Sequence, residues 1–112
     1  MNFRAMSDSP VQPERRYAQR RKLHSRIEIE WGSATLIGIV QDIGPGGMFI
    51  ELMPPLWLGA TFTARLLVTP VLVMDCKVSR VEPDQGIAVT FVIADESGQA
   101  QLAALLTALP PL

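Results

Sequence analysis

Between Arg15 and Arg26 stand Arg15, Arg16, Arg20, Arg21, Lys22 and Arg26, six of the ten basic side chains of this 112-residue chain. Just downstream comes Asp42-Ile43-Gly44-Pro45-Gly46-Gly47, a glycine-rich turn carrying one carboxylate. Guanidinium groups supply charge and planar, two-pronged donors, and glycines let backbone approach a ligand closely. A carboxylate can accept from guanine N–H groups. Together these residue types suit a compact, anionic, guanine-containing molecule.

Other chemistry is poorly supplied. His24 is the only histidine and Cys76 the only cysteine, so no Cys/His metal set can be assembled and no internal disulfide can form. No nucleophile–base pair or carboxylate dyad is apparent, so the chain reads as a binding module rather than an enzyme. His24 reads as an exposed imidazole and Cys76 as a small core residue. Trp31 follows the apolar face of its strand, whereas Trp57, in a proline-rich connection, is the more exposed tryptophan. Met48 and Phe49 read as packing residues.

The net charge of −1 conceals an asymmetry. Residues 1–26 carry a surplus of +5 and residues 27–112 one of −6. An acidic body with a basic arm is a poor fit to DNA or RNA, whose phosphate backbones need a broad positive face. The N-terminus lacks the apolar region of a secretion signal, and the apolar stretch from Leu66 to Met74 is short and broken by Pro70. No membrane insertion is expected, and the lone cysteine fits a cytoplasmic setting.

The positioning elements follow from period. Residues 1–14, punctuated by Pro10 and Pro13, read as a disordered leader. The remainder, 15–112, reads as one domain, with a basic arm at 15–26, a barrel at 26–93 and a helix at 96–109. Ile27, Ile29 and Trp31 alternate with polar residues and open the first strand. Thr35–Ile43 is a second strand, with Gly38 as a bend or bulge. Met48–Leu52 resumes after the turn, and period-2 runs recur at Phe62–Val68, Met74–Val78 and Ile87–Phe91. Six short strands at close spacing predict a small antiparallel barrel. Leu102, Leu105, Leu106 and Leu109 then fall at helical spacing, with Asp95 or Ser97 to cap the start and Pro110-Pro111 to stop the helix. The fold class is therefore mainly β, a six-stranded antiparallel β-barrel with a C-terminal α-helix.

On these residues the chain resembles the PilZ domain, a bacterial receptor for cyclic di-GMP. That family carries an RRxxxR run before its first strand and a (D/N)xSxxG turn after its second. Arg21-Lys22-Leu23-His24-Ser25-Arg26 abuts the strand expected at Ile27, and Asp42 to Gly47 occupies the place of the turn. The resemblance implies that Arg21, Lys22 and Arg26, with adjoining Arg20, contact ligand phosphates and guanine edges. It implies that Asp42 accepts from a guanine edge and that Gly47 permits the turn. Lys22 stands where the family has its second arginine, and Gly44 where it has serine. A second register, Arg15-Arg16-Tyr17-Ala18-Gln19-Arg20, spells RRxxxR without substitution but lies six residues further from that strand.

The function implied is a non-enzymatic cyclic di-GMP receptor that needs no cofactor and signals to a protein partner by ordering of its arm. The alternative is a degenerate PilZ module acting as a protein–protein adaptor without nucleotide. An oligonucleotide-binding barrel is the third reading, and the acidic body argues against it.

Overall fold

The computed structural model describes residues 19–112. The leader and the residues Arg15 and Arg16 lie outside that span. Six strands, β1 (Arg21–Trp31), β2 (Ala34–Ile43), β3 (Gly47–Glu51), β4 (Thr61–Leu66), β5 (Leu72–Glu82) and β6 (Gly86–Val92), are followed by one helix, α1 (Glu96–Ala108). All pairings are antiparallel, and the order β1-β2-β3-β6-β5-β4 closes through β4 on β1. Closure removes the exposed sheet edges that would otherwise pair with other chains.

The inward residues are those the alternation selects. Ile27 and Ile29 from β1, Ile50 from β3, Ala64 and Leu66 from β4, Met74 and Val78 from β5, and Ile87 and Val89 from β6 form one core. Burying each large aliphatic side chain contributes about 1.5–3 kcal/mol. Among the described residues no polar or charged side chain is buried. Asp95 caps α1 by accepting from the Gly98 amide at 3.3 Å. Its carboxyl is held below the usual range first by the Ser97 hydroxyl and then by that amide. The cap is thus formed above the ordinary carboxylate pKa and lost as pH falls through the lowered one. Leu102 buries into the barrel core, with Leu105, Leu106 and Leu109 packed at its margin.

Three features differ from the sequence expectation. First, β1 opens at Arg21 rather than Ile27. Ladder hydrogen bonds need no apolar side chains, so the strand runs past its hydrophobic stretch to pair Lys22 with Asp42 and Arg21 with Ile43. Secondly, Gly38 sits in regular pairing opposite Ile27; the irregularity against β3 falls at Gln41. A Cβ on Gly38 would lie 2.6 Å from Ile50 Cγ2 and 2.9 Å from the Glu51 carbonyl, so close packing explains this glycine. Thirdly, Trp31 is only half-buried, its ring edge-on to Trp57 with centroids 4.7 Å apart, while Trp57 is 60% exposed.

Cys76 is buried on β5, and burial, with a smaller contribution from Asp75, pushes its thiol up from 9.0 to about 12. A thiolate scarcer by about a thousandfold predicts that an alkylating reagent at mildly alkaline pH modifies the native chain far more slowly than the unfolded one. Equal rates would contradict this assignment. Above pH 9 the unfolded chain gives up its thiol proton first, so stability falls as pH rises from 9 toward 12.

Candidate functional site

The glycine turn joins β2 to β3 and is held by backbone on two sides. Gly44 N–H donates to the Gly47 carbonyl at 2.8 Å, and Phe91 N–H donates to the Gly46 carbonyl at 3.0 Å, fastening the turn to β6. Gly47 pairs with Thr90, and a Cβ there would lie 3.0 Å from the Val89 carbonyl, so a side chain would push the two strands apart.

Asp42 reaches this site through a β-bulge. On β2, Val40 and Ile43 both point into the core, an odd interval that strict alternation forbids. The ladder to β3 pairs Val40 with Ile50 and Asp42 with Phe49, leaving Gln41 as the surplus residue. The extra residue reverses the side-chain parity, so Gln41 and Asp42 both face outward. Gln41 then hydrogen-bonds Glu51 across the strand pair.

The basic residue on Asp42 is Arg20. Its Nη1 donates to Asp42 Oδ1 at 2.8 Å, with side-chain exposures of 29% and 21%. The arginine stem lies against the turn: a Cβ on Gly44 would be 3.3 Å from Arg20 Cδ, and one on Gly47 would be 3.9 Å from Arg20 Nη2. The main chain at Arg20 is tied to the residues that follow α1. Leu112 N–H donates to the Arg20 carbonyl at 3.3 Å, Lys22 N–H donates to the Pro110 carbonyl at 2.9 Å, and Arg21 bridges to Pro111. The prolines expected only to stop the helix also brace the base of the arm.

The other arm residues are dispersed along β1. Lys22, exposed opposite Asp42, lines a cavity of about 440 Å³ with His24, Gln41, Asp42 and the C-terminal Leu112. Arg21 is half-buried opposite Ile43, and Arg26 is exposed opposite Ile39, away from the turn. The structure therefore brings together Arg20, Asp42, Gly44 and Gly47, sets Lys22 on the far side of Asp42, and leaves Arg21 and Arg26 apart. Beside Arg20 a second groove of about 350 Å³ runs over Gly44 to Gly47 and continues to Ser79, Arg80 and Thr90. Those last three drew no attention in the sequence, because β5 and β6 lie far from both motifs in the chain.

This arrangement places guanidinium donors and one carboxylate acceptor beside a glycine-lined turn. Among the described residues no group of three His, Cys, Asp or Glu side chains is placed to hold a metal. No helix there is long and apolar enough to cross a membrane.

A closed six-stranded antiparallel barrel with a trailing helix, a carboxylate turn and a basic approach defines a small helix-backed β-barrel domain. The PilZ domain family model matches residues 14–108, and the chain belongs to that family of cyclic di-GMP receptor domains, which are generally binding modules without enzymatic activity. Both arginine registers lie within the matched span. Among solved structures, the PilZ domain of CeSA from a cellulose-synthesizing bacterium superposes with a TM-score of 0.62 at 15% identity, covering 79% of this chain and 94% of that one. That likeness shows the shared fold. No curated protein matches the sequence.

Proposed function

We propose that this chain is a non-enzymatic cyclic di-GMP receptor of the bacterial cytoplasm, which binds the dinucleotide between its basic N-terminal segment and the barrel face and presents the altered surface to a protein partner. The observation that carries the reading is the Arg20 guanidinium seated on Asp42 at 2.8 Å above the glycine turn. Arg20 uses one carboxylate oxygen. A carboxylate has about four accepting positions, so Asp42 can still take a guanine N–H edge.

The same contact favours the register that ends at Arg20. Arg15 and Arg16 would then supply further phosphate contacts, with Arg20 as the final arginine of an unsubstituted RRxxxR. Lys22 would not stand in for an arginine at all, and Arg21 and Arg26 would serve β1.

Titration calorimetry with cyclic di-GMP tests the receptor reading. Saturable binding is expected, with Arg16→Ala weakening it markedly and Arg26→Ala nearly silent. No heat and no thermal shift at high ligand would overturn the reading in favour of the adaptor. Binding lost in Arg21→Ala and kept in Arg16→Ala would restore the other register.

Gly44→Ser makes a sharper test of the turn. The added Cβ is tight only against the flexible stem of Arg20, at 3.3 Å, with the Gln19 carbonyl at an ordinary 3.8 Å, and the arginine has solvent to move into. The new hydroxyl adds one hydrogen bond, worth about 0.5–1.5 kcal/mol. Cyclic di-GMP should therefore bind about 3- to 10-fold more tightly. Weaker binding would mean that the bare glycine is what seats Arg20.

A further inference from the structure

We infer that Arg80 is a further guanidinium of the ligand site, held in reserve by Glu82 until an anion displaces that carboxylate; the inference rests on the cyclic di-GMP reading. On β5, Met74, Cys76 and Val78 point inward, so strict alternation would send Arg80 into the core. The ladder to β6 pairs Val78 with Val89 and Arg80 with Ala88, leaving Ser79 surplus. The Ser79 hydroxyl donates to the Ala88 carbonyl at 3.1 Å, which occupies the irregularity. One extra residue reverses the parity, so Ser79 and Arg80 both face outward, and Arg80 is delivered to the groove over the glycine turn.

This is the same device that turns Asp42 outward on β2, and the two bulges address one row of the sheet. The pairings Asp42–Phe49, Phe49–Ala88 and Ala88–Arg80 run straight across β2, β3, β6 and β5. Three strand spacings separate the ends, about 14 Å. That span matches a ligand with a base at one end and phosphate toward the other. Arg20 and Arg80 thus line one groove together with the glycine turn, Ala88 and Val89.

Arg80 Nε donates to Glu82 Oε2 at 2.8 Å, with the Arg80 side chain 61% exposed. Exposed pairs of this kind are held weakly. A phosphate offers the guanidinium a stronger two-pronged acceptor, so Glu82 acts as a built-in competitor with a small holding force.

The experiment is calorimetry with cyclic di-GMP on the unmodified chain and on Arg80→Ala, Glu82→Gln, the double variant and Arg20→Ala, at low and at physiological salt. Arg80→Ala should weaken binding about tenfold and flatten its salt dependence, with thermal unfolding unchanged. Glu82→Gln should tighten binding about threefold, and only while Arg80 is present. Binding by Arg80→Ala within twofold of the unmodified chain, with Arg20→Ala impaired, overturns this inference and leaves the receptor reading intact. Equal tightening by Glu82→Gln with and without Arg80 overturns the competitor role. No binding by the unmodified chain overturns the receptor reading and this inference together.

Discussion

Asp42→Ala is expected to lower affinity for cyclic di-GMP by about a hundredfold or more while leaving thermal unfolding almost unchanged. Hydrogen bonds to a charged acceptor contribute about 1.5–3 kcal/mol each, and a guanine edge would make two of them to Asp42. Removing the carboxylate also frees Arg20 from the side chain that aims it across the turn. Stability should barely respond, because the Arg20–Asp42 pair is partly solvated and such pairs contribute about 0–1 kcal/mol. Arg20→Ala should show the same split between binding and stability. The double variant should lose less than the two single losses combined, since the residues act as one unit. Arg20→Lys keeps the charge without the planar fork and should fall between. The checks are calorimetry for affinity and a melting curve for stability. An Asp42→Ala protein that binds within a fewfold of the unmodified chain would remove the turn from the site.

The largest effect on the fold is expected from Gly86→Ala, although the change adds one methyl group. Gly86 closes the β5–β6 hairpin with φ at +152°, where only glycine is at ease. A Cβ there would lie 2.1 Å from the Ile50 carbonyl oxygen and 3.0 Å from Glu51 Cα, both main chain on β3. Main-chain atoms cannot rotate away as a side chain could, so β3 and β6 must separate at that end. We expect a loss of about 3–5 kcal/mol and a melting point lower by about 10–20 °C. Because the β3–β6 ladder also holds Gly47 on Thr90, binding should weaken with warming and recover on cooling. Gly46→Ala is the control, since nothing lies within 4 Å of a Cβ there. A Gly86→Ala protein melting within a few degrees of the parent would show that this junction yields more readily than its geometry implies.

Ile27 and Ile29, Phe62 and Ala64, and Cys76 and Val78 each alternate with polar neighbours, and such period-2 runs determined a six-stranded barrel with a wet outer face. Leu102, Leu105, Leu106 and Leu109 likewise determined the helix, because their spacing is a local property of the chain. The carboxylate turn was also legible, since Asp42 and its glycines are contiguous. Which basic residue meets that turn was decided by tertiary structure. Arg20, Arg21 and Lys22 are adjacent and chemically alike, and only the ladder to β2 and the C-terminal tail separates the residue on Asp42 from those within β1. The bulges at Gln41 and Ser79 were equally hidden. An extra residue leaves composition unchanged and shows itself only against the partner strand, yet it turns Asp42 and Arg80 outward onto one row. Local periodicity determines which elements form. The facing of a side chain next to a bulge depends on a strand distant in sequence, and only the closed barrel supplies that strand.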